Sequence, residues 1–138
     1  MINRTTTDII TELDKNEVFV FGSNLSGRHA GGAAWFALNH GAVEGISDGL
    51  SGQSYAIPTV DKEVREPLDI ETISHYVDKF TKVAKERSDL TFLVTEIGCG
   101  LAGFTPEDIA PLFLDCFDLE NVHLPFRFWK VLIKQKRD

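Results

Sequence analysis

The chain is predicted to fold as a three-layer α/β/α sandwich, and three observations carry that expectation. Short runs of β-branched and aromatic residues alternate with segments of helical periodicity. Two glycine-rich turns each follow directly on a strand-like run, at the end of the strand where open α/β sheets bind ligands. With 43% hydrophobic and 25% charged residues, 138 residues suffice for one domain whose core needs no staple.

The elements follow in order. The first 16 residues are polar apart from Ile9 and Ile10, and Thr7 or Asp8 is suited to cap a short helix there. Val18-Phe19-Val20-Phe21 is a continuous apolar run that stops at Gly22, which predicts a buried strand. A helix is expected from Gly31 to Leu38, with small residues Ala33, Ala34 and Ala37 allowing close approach to the sheet or a ligand. Residues 41–52 are glycine-rich and are expected to be irregular. Tyr55-Ala56-Ile57-Pro58-Thr59 reads as a second strand closed by its proline. Residues 61–67 form a charged loop. From Ile70, the spacing of Ile73, Val77, Phe80 and Ala84 predicts an amphipathic helix ending near Ser88.

Residues 91–97 form the third strand. Thr105 is placed as an N-cap, Pro106 as the first helical residue and Asp108 two positions further on, with Ile109, Leu112, Phe113 and Cys116 as the buried face. Pro111 strains this helix in its first two turns. Residues 121–124 form a short strand, and Pro125 opens a last helix carrying Phe126, Trp129, Leu132 and Ile133. A strand over 128–133 is the competing reading.

Composition narrows the function classes. The net charge is −7 and no basic stretch matches a phosphate-backbone footprint, so direct sequence-specific nucleic-acid binding is not expected. An acidic chain still holds one phosphorylated small molecule where peptide N–H groups converge. Cys99 and Cys116 give no disulfide framework, no apolar leader is visible and no run reaches membrane-spanning length. A cytoplasmic protein without membrane association is therefore expected. The histidines, cysteines and acids form no zinc signature, and neither metal nor other cofactor is expected.

The candidate chemistry sits in the two turns. In the second, Gly98, Gly100 and Gly103 permit positive φ and close backbone approach, so the N–H groups around Cys99, Leu101 and Ala102 can cradle an oxyanion. An ordinary strand-to-helix connection is the plain alternative. In the first turn, the Asn24 amide suits ribose hydroxyls, against an Asx-turn as the alternative. Gly31 and Gly32 allow close approach to a phosphate or ribose, and Arg28 is either a phosphate partner or a solvated loop charge. His29 is either a general acid–base group or a surface histidine. Cys99 is either an activated nucleophile or a small filler, with the filler favoured. Glu96 near a strand end can reach the cleft or pair with a neighbouring cation. Asp61 can orient a water or lie in solvent.

In this arrangement the chain resembles the macro domain superfamily, proteins that bind ADP-ribose and related metabolites, and most closely a small bacterial and phage-related branch. The resemblance runs over about residues 8–124 and rests on the strand and loop Val18-Phe19-Val20-Phe21-Gly22-Ser23-Asn24. It also rests on Gly31-Gly32-Ala33-Ala34, on Tyr55-Ala56-Ile57-Pro58-Thr59 and on the loop from Glu96 to Phe104. It implies a macro-domain-like mixed sheet. It further implies Asn24 on the distal ribose, Gly31 and Gly32 beside ribose and diphosphate, and residues 98–103 around the diphosphate. Phe104 would border the distal ribose and Asp8 would hold the adenine amino group. Thr7 stands where the family has glycine before that aspartate, Phe21 where it has an earlier asparagine, and the adjacent-glutamate signature of poly(ADP-ribose) glycohydrolases is absent.

The expected ligand is thus ADP-ribose or a related phosphorylated small molecule, free or carried on an ADP-ribosylated macromolecule. If the chain also removes ADP-ribose, Asn24 orients the sugar and His29, Asp61 or Glu96 manages a proton. The competing expectation is a protein-interaction or structural module that keeps only the fold and exposes Trp35 or Trp129.

Overall fold

The structure, a computed structural model, describes residues 3–29 and 32–137. Its strands are β1 (Thr5–Thr6), β2 (Glu17–Asn24), β3 (Gly49–Ser51), β4 (Ser54–Val60), β5 (Thr91–Val94) and β6 (Val122–Pro125). Its α-helices are α1 (Gly32–Leu38), α2 (Ile70–Glu86), α3 (Pro106–Ile109) and α4 (Phe126–Arg137), with a 3₁₀ segment over Ala110–Cys116. The strands form one mixed sheet in the order β1-β6-β5-β2-β4-β3. Every neighbouring pair is parallel except β3 with β4.

Helices flank the sheet, and strand alternation decides what each face buries. On one face Val18, Val20, Tyr55, Ile57, Phe92, Val94, Val122 and Leu124 pack against α2, the 3₁₀ segment and α4. On the other, Phe19, Phe21 and Ala56 pack against Ala37 of α1, with Phe36, Ile10 and Leu13 at the margin. The larger core is centred on Phe80, whose ring meets Tyr55, Phe92 and Phe113 edge-on at centroid distances of 5.1, 5.4 and 6.1 Å. Burying such a ring contributes about 2–3 kcal/mol.

Helix α2 forms as its spacing predicts. Ile73, Val77, Phe80 and Ala84 are all buried, and Asp69 caps the first turn by accepting from Thr72 N at 2.8 Å. The capping box of Thr105 and Asp108 also forms, with Pro106 at the start of α3. The helix then tightens into 3₁₀ geometry at Ala110 because Pro111 has no N–H to continue the α pattern. In α4, Phe128, Trp129 and Leu132 are buried together, which excludes the competing strand.

Six further expectations are corrected. No helix forms at Thr7 or Asp8; Thr5 and Thr6 instead pair with Leu124 and Pro125 as an edge strand. Strand β2 passes through Gly22 and ends at Asn24. Strand β5 stops at Val94, where Thr95 turns inward and its Oγ1 donates to Val20 O at 2.8 Å, leaving Glu96 beyond the strand. The glycine-rich stretch after α1 contains a strand, β3, paired with β4 over Ser54–Ala56. Pro125 is the last residue of β6, and α4 begins after it. Pro58 lies within β4, past the last residue that pairs with β3.

Arg4 ties the N-terminal segment down. Its guanidinium donates to Phe117 O and Leu119 O and lies 5.1 Å above the Trp129 ring, and Trp129 Nε1 donates to Arg4 O at 2.7 Å. No helix among the described residues is long and apolar enough to cross a membrane.

Candidate functional site

Two adjoining hollows run across the carboxyl ends of the parallel strands. The first, about 810 Å³, lies beside β1 and β6 and takes in Asp8, Ile9, Phe36, Phe126 and Arg127. The second, about 610 Å³, lies at the ends of β2 and β4 and takes in Asn24, Arg28, Thr59, Val60 and Val64. They share Ala33, Thr95 and Glu96, so together they make one cleft whose waist is at the end of β5.

The second glycine loop forms a wall of the second hollow, next to that waist. Gly103 N donates to Gly100 O at 3.0 Å, Phe104 N to Gly98 O at 2.8 Å and Cys99 N to Glu96 O at 3.2 Å, which closes the loop on itself. The N–H groups of Gly98, Gly100, Leu101 and Ala102 have no acceptor among the described residues, and all four residues line the cleft. Gly98 is buried while Gly100 and Leu101 are exposed to solvent, and a run of such donors on one wall can form an anion-binding concavity. Gly98 has φ 76° and Gly103 φ 81°, conformations that favour glycine. The loop passes the end of β2 beside Gly22. A Cβ there would stand 3.6 Å from Gly98 N.

The remaining candidates fall into distinct places. Asn24 lines the cleft but also organises its own loop: Oδ1 accepts from Ser26 Oγ at 2.6 Å and Arg28 N at 3.1 Å, and Nδ2 donates to Arg28 O at 2.9 Å. One amide hydrogen stays available to a ligand. Arg28 is exposed at the rim and makes no ion pair among the described residues. Gly32 opens α1, whose Ala33 and Ala34 reach the cleft, whereas Gly31 lies outside the described residues. Gly100, Leu101 and Ala102 line the cleft beside Gly98. Cys99, Gly103 and Phe104 are not among the lining residues; Phe104 and Cys99 pack instead against the larger core.

His29 is buried, not on the surface, and lines neither hollow. Its Nε2 stands 3.0 Å from Val43 O and 3.2 Å from Ile46 O, so that nitrogen carries the proton, and the ring meets Phe21 edge-on. Its role in the structure is to latch the first glycine loop to the segment around Val43. Asp61 also stands away from the cleft lining, where its Oδ1 accepts from Arg65 N at 2.9 Å and closes a turn.

Glu96 does reach the cleft, but in a bidentate pair with Arg127: Oε2 accepts from Nε at 2.7 Å and Oε1 from Nη2 at 2.5 Å. These hydrogen bonds hold its carboxyl below the usual range, so it is an anion at neutral pH. Burial first, then the Glu96 charge, pushes the Cys99 thiol up to about 11, which opposes an activated nucleophile. Among the described residues no group of three or more histidine, cysteine, aspartate or glutamate side chains is placed to hold a metal ion.

Sequence reasoning missed Phe126, Arg127 and Val64. The first two follow directly on β6, so their position after a strand end was the available signal. Val64 had none, since a charged loop does not announce which residue turns toward a cleft. No family model, curated protein or solved structure matches this chain.

Proposed function

We propose that the chain binds ADP-ribose, or a closely related nucleoside diphosphate sugar, along this cleft, in the manner of a macro domain. The observation that carries the reading is the row of N–H groups along one wall of the second hollow, with the first hollow adjoining it across Ala33, Thr95 and Glu96. Such a layout suits a diphosphate with a bulky group at each end. On the β1–β6 side, exposed Phe126 offers a ring face to a base, and Asp8 offers a carboxylate to an exocyclic amine. On the β2–β4 side, Asn24 and Arg28 offer donors to sugar hydroxyls. The mixed sheet, with both glycine loops at the ends of adjacent strands β2 and β5, also supports the macro-domain reading. An ADP-ribosylated macromolecule is then the form of ligand whose modified end would enter.

Binding without cleavage is the activity proposed. His29 and Asp61 stand outside the cleft lining, and Glu96 is held by Arg127. The interaction-module alternative gains less support. Trp35 is exposed, but Trp129 is buried and the cleft is open.

Calorimetry with ADP-ribose, AMP, ADP and NAD tests the reading. ADP-ribose should bind most tightly, and no binding of any of the four at millimolar ligand overturns it. Incubation with ester-linked and arginine-linked ADP-ribose substrates should leave both intact, and release of ADP-ribose would instead make the protein a hydrolase.

A further inference from the structure

We propose that Val64 determines specificity at the far end of the cleft, its isopropyl group forming the wall against the sugar beyond the diphosphate. This rests on the nucleoside diphosphate sugar reading above. The order of residues along the cleft follows the sheet. The base-side hollow borders β1 and β6, the N–H row lies at the end of β5, and Asn24, Thr59 and Val60 follow at the ends of β2 and β4. Val64 lines the same hollow as the N–H row, just beyond β4, whereas Asp8 and Phe126 line only the first hollow. With the base in the first hollow and the diphosphate on the N–H row, the group that meets Val64 is the one attached to the second phosphate.

The backbone supplies an independent reason to single out this residue. Among the described residues, Val64 alone of those other than glycine has a positive φ, at 57°. A β-branched side chain rarely adopts that conformation, and such residues persist where surrounding bonds over-determine them. Those bonds are present. Asp61 O accepts from Val64 N at 3.1 Å, Asp61 Oδ1 accepts from Arg65 N at 2.9 Å, and Asp61 N donates to Glu66 O at 2.9 Å. Leu68 N then donates to Thr59 O at 2.8 Å, and Val60 bridges Pro67, fastening the turn to the end of β4. Glycine or asparagine would fit this turn with less strain, so stability gives no reason for valine; an apolar wall does. The carbon face of a sugar packs on that wall while its hydroxyls face the donors of Asn24 and Arg28.

The test compares two ligands, one with the distal sugar and one that ends in a free phosphate. Val64→Gly and Val64→Asn proteins are titrated with ADP-ribose and with ADP, and their thermal unfolding is recorded. Both variants should unfold at or above the wild-type temperature. They should lose about fivefold to tenfold in affinity for ADP-ribose and keep the wild-type affinity for ADP. Equal loss for both ligands, or no loss for either, overturns the assignment of Val64. If wild-type protein binds ADP but discriminates against ADP-ribose, Val64 is a block and not a sugar wall. Wild-type protein that binds neither ligand overturns the underlying reading, and this inference with it.

Discussion

Gly98 and Gly100 stand two residues apart and should respond oppositely to a methyl group. A Cβ on Gly98 would lie 3.0 Å from Ile109 Cδ1 at a φ of 76°, so Gly98→Ala should cost about 1–2 kcal/mol of stability. Nothing lies within 4 Å of a Cβ on Gly100, and that residue lines the cleft. Gly100→Ala should therefore keep the wild-type melting temperature and weaken ADP-ribose binding, as melting curves and calorimetry on both variants would show. Glu96 gives a pH prediction. Its carboxyl is depressed in the folded protein by the Arg127 hydrogen bonds. Its contribution is present above the unfolded value near 4.5 and is lost as pH falls through the lower folded value. Carboxyl titration by NMR should place Glu96 below 4.5 in the wild type and move it upward in Arg127→Ala. The glycines announced the loop because few other residues allow its turns. The pairing of Arg127 with Glu96 was not legible, because only the folded sheet brings together two residues 31 positions apart.

Among the elements, α2 and the capping box were readable because their signals are local: a repeat of three and four residues, and a side chain three positions from its acceptor. Strand β3 was not, since Gly49–Ser51 has no strand pattern of its own and is ordered by pairing with β4. The early end of β5 was hidden as well. Thr95 and Ile97 prolong the β-branched run, and it is the Thr95 contact with Val20 that turns the chain. Strand β4 carries a testable oddity. The Tyr55 hydroxyl is buried without a hydrogen-bond partner among the described residues, and burial, followed by the Asp48 charge, raises its pKa. An unpaired buried hydroxyl is a net cost, so Tyr55→Phe should leave stability unchanged or raise it. Chemical denaturation checks this, and a loss above about 1 kcal/mol would mean that the hydroxyl has a partner after all.

At the scale of the molecule, the cleft spans the ends of five parallel strands from β1 to β4, so a ligand lying along it would contact segments far apart in the sequence. Occupying it should stabilise the whole domain. At a hundredfold excess of ligand over Kd the gain is about 2.7 kcal/mol, or roughly 8 °C in melting temperature for a chain of this size. ADP-ribose should produce that shift in the wild type and a smaller one in Gly100→Ala at the same concentration. The fold class was legible because element order is written in periodicity. The joining of two hollows was not, because it depends on β2 and β5 being neighbours. The donors that the second glycine loop turns to the cleft are peptide groups. Truncating Leu101 to alanine removes a side chain and leaves the N–H in place. A survey by side-chain deletion would therefore pass over the donors and score only the residues that shape the walls. The donors themselves yield to a different operation, replacement of the amide at residue 101 or 102 by an ester, which deletes the hydrogen and keeps the chain.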